Sequence, residues 1–190
     1  MKIVLGTGNE HKVFEVNEIA KGSGVEFISA PEGFSPEETG ETFEENSYIK
    51  AFEASKLSQY ISLADDSGLC IDGLNGAPGL YSARYAGTQQ EKIDRILNEM
   101  TGMTNRKAKF VCCMTLVDEN GKIIHQTKGE CHGKIIEEQK GINGFGYDPI
   151  FMPDGYDITL AEMDEDGKNA ISHRGRALRE MLDYITKTLL

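Results

Sequence analysis

Two adjacent carboxylates, Asp65 and Asp66, open the stretch ADDSGLCIDGLNGAPGLYSARY at 64–85. The run before them, Tyr60 to Ala64, reads as a strand, so the pattern predicts acids at a strand end followed by a Ser67-Gly68 turn. In open α/β sheets ligands bind at that edge. Carboxylates held there without a cation are costly, and a hard ion such as Mg²⁺, which prefers oxygen ligands, would relieve them. A solvated turn beginning with two acids is the plainer reading of the same string.

Cations stand in places that invite an anion. Lys2 to Leu5 reads as a strand, Gly6-Thr7-Gly8-Asn9 as a turn, and Glu10 to Ala20 as a helix with Val13, Val16, Ile19 and Ala20 on one face. A glycine turn ahead of a helix lets backbone N–H groups meet phosphate oxygens, and Lys12 sits in the first turn, where the macrodipole disfavours it. An ordinary βα turn with a surface Lys fits equally well. The third glycine of a dinucleotide fingerprint is missing, since position 11 is His, and no GxxxxGK[ST] string occurs. Thr42 and Glu45 form a capping-box pattern for a helix from Phe43 to about Gln59. Asn46, Lys50, Glu53 and Leu57, with Phe43 and Ala54, share its expected inward stripe. Lys50 on that stripe either snorkels outward or points at an anion. Near the C-terminus Lys168, His173 and Arg174 crowd the predicted start of a helix capped by Asn169 or Ser172, with Ile171, Leu178, Leu182, Ile185 and Leu189 as its apolar face. Three cations at a helix N-terminus point to a bound anion or acceptor.

The remaining elements frame these groups. Val25 to Ser29 is a second strand, and an acidic, mobile-looking loop follows from Pro31 to Glu41. Gln89 to Met100 is an amphipathic helix. Ala108 to Val117 and Lys122 to Ile135 are strands joined by the Asp118-Glu119-Asn120-Gly121 turn. Gly141 to Pro149 places three glycines around Phe145 and Tyr147, ahead of the strand Ile150 to Met152. Rings on such a loop can stack on planar bases or plug the core.

With 190 residues, 39% of them hydrophobic, the chain is expected to form one domain, residues 1–190. Its net charge of −11 argues against a nucleic-acid polymer or an anionic membrane as partner, but not against a small phosphorylated substrate. No signal peptide or spanning run is expected, and Cys70, Cys112, Cys113 and Cys131 read as buried thiols of a cytoplasmic protein.

Six strings stand in one order: TGNEHK (7–12), EETGETFEENSYIKA (37–51), ADDSGL (64–69), GAPGLYSARY (76–85), GFGYDPIF (144–151) and KNAISHRGRAL (168–178). Over residues 3 to about 183 the chain resembles the Ham1/RdgB-type inosine triphosphate pyrophosphatases, the non-canonical purine or dITP/XTP pyrophosphatases. The resemblance implies an elongated α/β domain whose twisted mixed sheet, with flanking helices, forms two lobes around a central cleft. It implies a homodimer, a purine nucleoside triphosphate as substrate, Mg²⁺, and hydrolysis of ITP, dITP and XTP to the monophosphate and pyrophosphate.

Carried over by position, Thr7, Gly8, Asn9, Glu10, His11 and Lys12 hold the triphosphate. Glu37 and Asp66 position Mg²⁺, and Asp66 is also the expected general base. Lys50 faces the phosphates and Ser67 touches the substrate. Phe145, Gly146, Tyr147 and Asp148, with Lys168, His173 and Arg174, form the base and phosphate pocket. An acceptor oxygen at the purine 6-position would suit a backbone N–H, His173 or Arg174, whereas the adenine amino group would leave the donor unpaired. Two departures stand out: Gly6 where many members have Ala, and a short YAGTQQEK connection at 85–92. A Maf-like preference for other modified nucleotides, or a silent nucleotide-binding protein, are the alternatives. The SHR string at 172–174 and the GFGYD loop count against the first, and the presence of Glu37, Lys50 and Asp66 against the second.

Overall fold

A computed structural model describes the backbone of all 190 residues and every side chain except that of His11. Six strands pair in the order β2-β1-β3-β4-β5-β6. They are β1 (Lys2–Leu5), β2 (Glu26–Ser29), β3 (Ser62–Ile71), β4 (Lys107–Val117), β5 (Ile123–Ile135) and β6 (Phe151–Pro153). β1 runs parallel to β2 and β3, whereas β5 and β6 are antiparallel, so the sheet is mixed. Its helices are α1 (Glu10–Ala20), α2 (Phe43–Ser58), α3 (Gln89–Glu99), α4 (Glu165–Ile171) and α5 (His173–Thr188). The expected mixed α/β sheet with flanking helices is therefore present. No helix among the described residues is long and apolar enough to cross a membrane.

The chain forms two compact units. The first comprises 1–66, 112–129 and 174–190. Its core packs Ile3, Leu5, Phe27, Leu63, Met114 and Leu116 of the strands with Val16 and Ala20 of α1 and Ala177, Leu178, Met181 and Ile185 of α5. Helix α2 approaches through small residues: Ser47, Ala51, Ala54 and Ser55 are buried, and Ser47 shares a 2.6 Å hydroxyl contact with Thr115. Gly6 makes room for that approach, because a Cβ there would lie 2.9 Å from Ala64 Cβ and 3.2 Å from the Lys50 carbonyl oxygen. The helix thus sits close enough to bring Lys50 over β3. Leu57, expected on the inward stripe, is exposed, since the buried face is set by these small residues instead.

The second unit comprises 67–111 and 130–173. Leu69, Ile71, Ile93, Ile96, Met100, Phe110, Ile135, Ile150 and Phe151 form its core. Helix α3 is held there by its apolar face and by a capping box between Thr88 and Glu91.

Two local expectations are corrected. Strand β3 does not stop before the acids but runs through Asp65, Asp66, Ser67 and Gly68 to Ile71. The pairing with β1 ends at Leu63, and beyond it burial and the other neighbouring strand, β4, outweigh the weak strand preference of Asp, Ser and Gly. The C-terminal segment is two helices broken at Ser172, whose ψ of 153° is extended. Lys168 and Ile171 therefore belong to α4, and only His173 and Arg174 begin α5.

Candidate active site

In the first unit Asp65 and Asp66, neighbours on β3, meet different surroundings. Asp65 is buried and ion-paired with Lys12 of α1, and its other oxygen lies 3.5 Å from Arg174 Nε at the start of α5. Arg174 also reaches Glu15, at 4.0 Å. Burial disfavours the charged form of Asp65, but Lys12, Arg174 and Lys50 overcome it and hold the carboxyl well below the usual range. Burial, with Arg174 and Lys50 adding, pushes Lys12 down, and Asp65 opposes it. The local sequence supplies the mounting. Asn9 Oδ1 accepts from Lys12 N at 3.4 Å and Asn9 N–H donates to Thr7 Oγ1 at 3.1 Å, so the turn starts α1 with Lys12 in its first turn.

Asp66 has Lys50 Nζ at 3.4 Å from Oδ1. Its Oδ2 is buried and meets no hydrogen-bond donor among the described residues. Burial, with Glu38 and Asp65 adding negative charge, pushes Asp66 up against the pull of Lys50 and of the nearby Asn46 side chain. Lys50 is raised: burial lowers it, but Asp65, Asp66 and Glu38 outweigh that. A buried carboxylate oxygen with no donor is the atom a hard divalent cation would satisfy, so Asp66 fits a metal ligand. No cluster of three or more His, Cys, Asp or Glu side chains suited to a metal occurs among the described residues.

The second acid near Asp66 is Glu38, whose Oε1 lies 3.4 Å from Lys50 Nζ. Glu37 is exposed. The register follows from how the 31–41 loop docks. Ser35 N–H donates to Glu53 Oε1 at 3.1 Å and Gly40 N–H donates to Asn46 Oδ1 at 2.8 Å, which ties the loop to α2 on both sides of Glu37 and Glu38. Asn46 is thus a site residue that the sequence showed only as a buried polar position. Thr7 is half-buried, Gly8, Asn9 and Glu10 are exposed at the start of α1, and the His11 side chain lies outside the described residues.

In the second unit Asp148 organises the glycine-rich loop. Its carboxylate, 3% exposed, accepts from Phe145 N–H at 3.0 Å and pairs with Lys168 Nζ at 2.6 Å. A side chain at Gly144, where φ is +70°, would run into that carboxylate. Lys168 Nζ also lies 4.3 Å from the Phe145 ring centroid. Of the two rings left open by the sequence, Phe145 is 47% exposed and stands clear of the core, whereas Tyr147 is buried and donates to the Ser82 carbonyl at 2.7 Å. His173 is buried with its ring stacked on Phe110 at 4.8 Å. Ser67 is half-buried on β3. The structure therefore groups Lys12, Lys50, Asp66 and Arg174 in one set with Asp65 and Glu38, and Phe145, Asp148 and Lys168 in another.

Comparison with known proteins matches residues 3–184 to the Ham1 family model. A dITP/XTP pyrophosphatase of Campylobacter jejuni is 44% identical over 200 aligned positions, covering 100% of this chain and 98% of that protein. One of Prochlorococcus marinus is 41% identical over 187, covering 98% and 95%. Among solved structures, a HAM1 protein from Coxiella burnetii superposes with a TM-score of 0.91 at 41% identity, covering 99% of this chain and 100% of that one. The Ham1 protein of Staphylococcus aureus gives 0.89 at 36%, covering 98% and 99%.

Proposed function

The chain belongs to the Ham1 family, and from that premise we propose that it is a nucleoside triphosphate pyrophosphohydrolase that cleaves ITP, dITP and XTP to the monophosphate and pyrophosphate. The observation that carries this reading is the pair of lysines, Lys12 and Lys50, held on the adjacent acids of β3. A net-acidic chain that takes a polyanion needs such a local knot of fixed cations.

The residues divide the work. Thr7 to Lys12 and Lys50 bind the triphosphate. Asp66 orients the water whose oxygen bonds to the α-phosphorus as the bond to the bridging oxygen of the β-phosphate breaks. The water's proton passes to Asp66 or to solvent, and pyrophosphate leaves with the bridging oxygen. Asp66, with Glu38 or its neighbour Glu37, would hold Mg²⁺. That ion, when bound, supplies charge neutralisation and a more acidic water. Ser67 touches the substrate. Phe145 stacks on the purine, Lys168 and His173 answer its acceptor oxygens, and Arg174, paired with Asp65, adds fixed positive charge to the phosphate set. We place the activity in one domain spanning 1–190, acting as a homodimer in the cytoplasm. Four free cysteines fit a reducing compartment.

The test is pyrophosphate release from ITP, XTP, GTP and ATP with Mg²⁺. ITP and XTP are expected to turn over far faster than GTP and ATP. Inorganic phosphate in place of pyrophosphate would move the attack to the γ-phosphorus and overturn the mechanism.

A further inference from the structure

The short connection at 85–92 ends in a contact to the glycine-rich loop. Gln89 is the first residue of α3, and its side-chain oxygen accepts from Gly146 N–H at 3.1 Å. The acceptor must be oxygen, because an amide nitrogen offers only donors to a backbone N–H. We propose that Gln89 is a positioning residue for purine recognition, one that sets the seat of the base through Gly146 without touching the substrate. The proposal rests on the assignment of Phe145 to the base.

The loop's anchors show what Gln89 adds. Phe145 N–H is fixed by Asp148, Asp148 by Lys168, and the Tyr147 hydroxyl by Ser82. Gly146 lies in the middle of this series with a φ of +60°, and a Cβ there would meet nothing within 4 Å. The side of Gly146 where a Cβ would stand is open, and its N–H is held by the hydrogen bond to Gln89. The far end of the tether is firm. Ile93, Ile96 and Met100 are buried in the unit's core, and the Thr88–Glu91 capping box fixes the first turn. The chain entering the connection is also clamped, since Arg95 Nη1 donates to the Tyr85 carbonyl at 2.6 Å and the Tyr85 hydroxyl donates to Glu99 at 2.6 Å. Only three residues, 86–88, separate Tyr85 from Gln89, so the shortness of the connection presents Gln89 to Gly146 from a rigid frame.

The test compares wild type, Gln89→Ala and Gln89→Glu. The Glu variant keeps an acceptor of the same reach. In substrate-free protein, exchange of the Gly146 amide is expected to speed up about fivefold in the Ala variant and to return toward wild type in the Glu variant. With ITP, the Ala variant is expected to show KM raised about fivefold with kcat near wild type, and the Glu variant to recover. Inhibition by inorganic tripolyphosphate, which probes phosphate binding alone, is expected to stay unchanged. Unaltered Gly146 exchange in the Ala variant would overturn the tether. Faster exchange with unaltered KM, or a KM rise matched by weaker tripolyphosphate inhibition, would overturn its role in base recognition. If wild type released no pyrophosphate from ITP, the functional reading would fall, and the exchange experiment would still decide whether Gln89 holds the loop.

Discussion

Around Asp65 and Asp66 the functional side chains ride on regular backbone, whereas around Phe145 the backbone itself is the irregular part. The first region draws its groups from β3, α1, α2 and the start of α5, and its contacts join opposite charges. The second hangs on glycines at positive φ and on hydrogen bonds to Asp148, Gln89 and Ser82. Phosphoryl transfer needs fixed charge at set positions, and strands and helices supply it with little freedom left to lose. A planar base needs one exposed ring face, which a tethered glycine loop can present without burying it.

Within the first region the two acids differ again, and that difference can be broken by mutation. Asp65→Asn removes the carboxylate that neutralises two buried cations. It is expected to destabilise the fold by about 3 kcal/mol at neutral pH, the cost of leaving buried charge uncompensated, as read by denaturant unfolding. The sign follows from its lowered folded pKa. The stabilisation is full above the unfolded value near 4 and is lost as pH falls toward the folded value. Asp66 is shifted the other way, so its ionised form costs stability above the unfolded value. Asp66→Asn is accordingly expected to leave the metal-free protein as stable as wild type or more so. Equal losses in the two variants would show that the acids share one role.

A smaller effect separates Glu38 from Glu37. Glu38 lies beside Lys50 and Glu37 is exposed. Glu38→Gln is expected to lower kcat with ITP roughly tenfold to hundredfold, in line with loss of a group that holds or orients a metal. Glu37→Gln is expected to change it less than about threefold. The reverse order would put the loop one residue out of the register described above.

The two regions were unequally legible in the sequence. Lys50 stood out because a cation fell on a stripe that should face inward, and Lys12, His173 and Arg174 because cations crowded predicted helix starts. Such misfits are visible without tertiary structure. The course of β3 through Asp65 to Gly68 was not, because its residues have poor strand propensity and only pairing with neighbouring strands makes them extended. That Glu38 and not Glu37 lies beside Lys50 was hidden as well, since hydrogen bonds from residues 35 and 40 to Glu53 and Asn46 fix the loop register. The short connection at 85–92 stood out, but nothing in it singled out Gln89, an exposed polar residue at a helix start whose partner lies 57 positions away.

The most direct test of this division of labour is steady-state pyrophosphate release from ITP by wild type, Asp66→Asn and Phe145→Ala, measured side by side with Mg²⁺. Asp66→Asn is expected to lose kcat by about 10³-fold with KM little changed, as for removal of a group that acts on the reacting water. Phe145→Ala is expected to raise KM by about tenfold or more with kcat largely kept, as for loss of base stacking. If both variants moved the same constant by similar factors, the two regions would not divide chemistry from recognition, and the central claim would be contradicted.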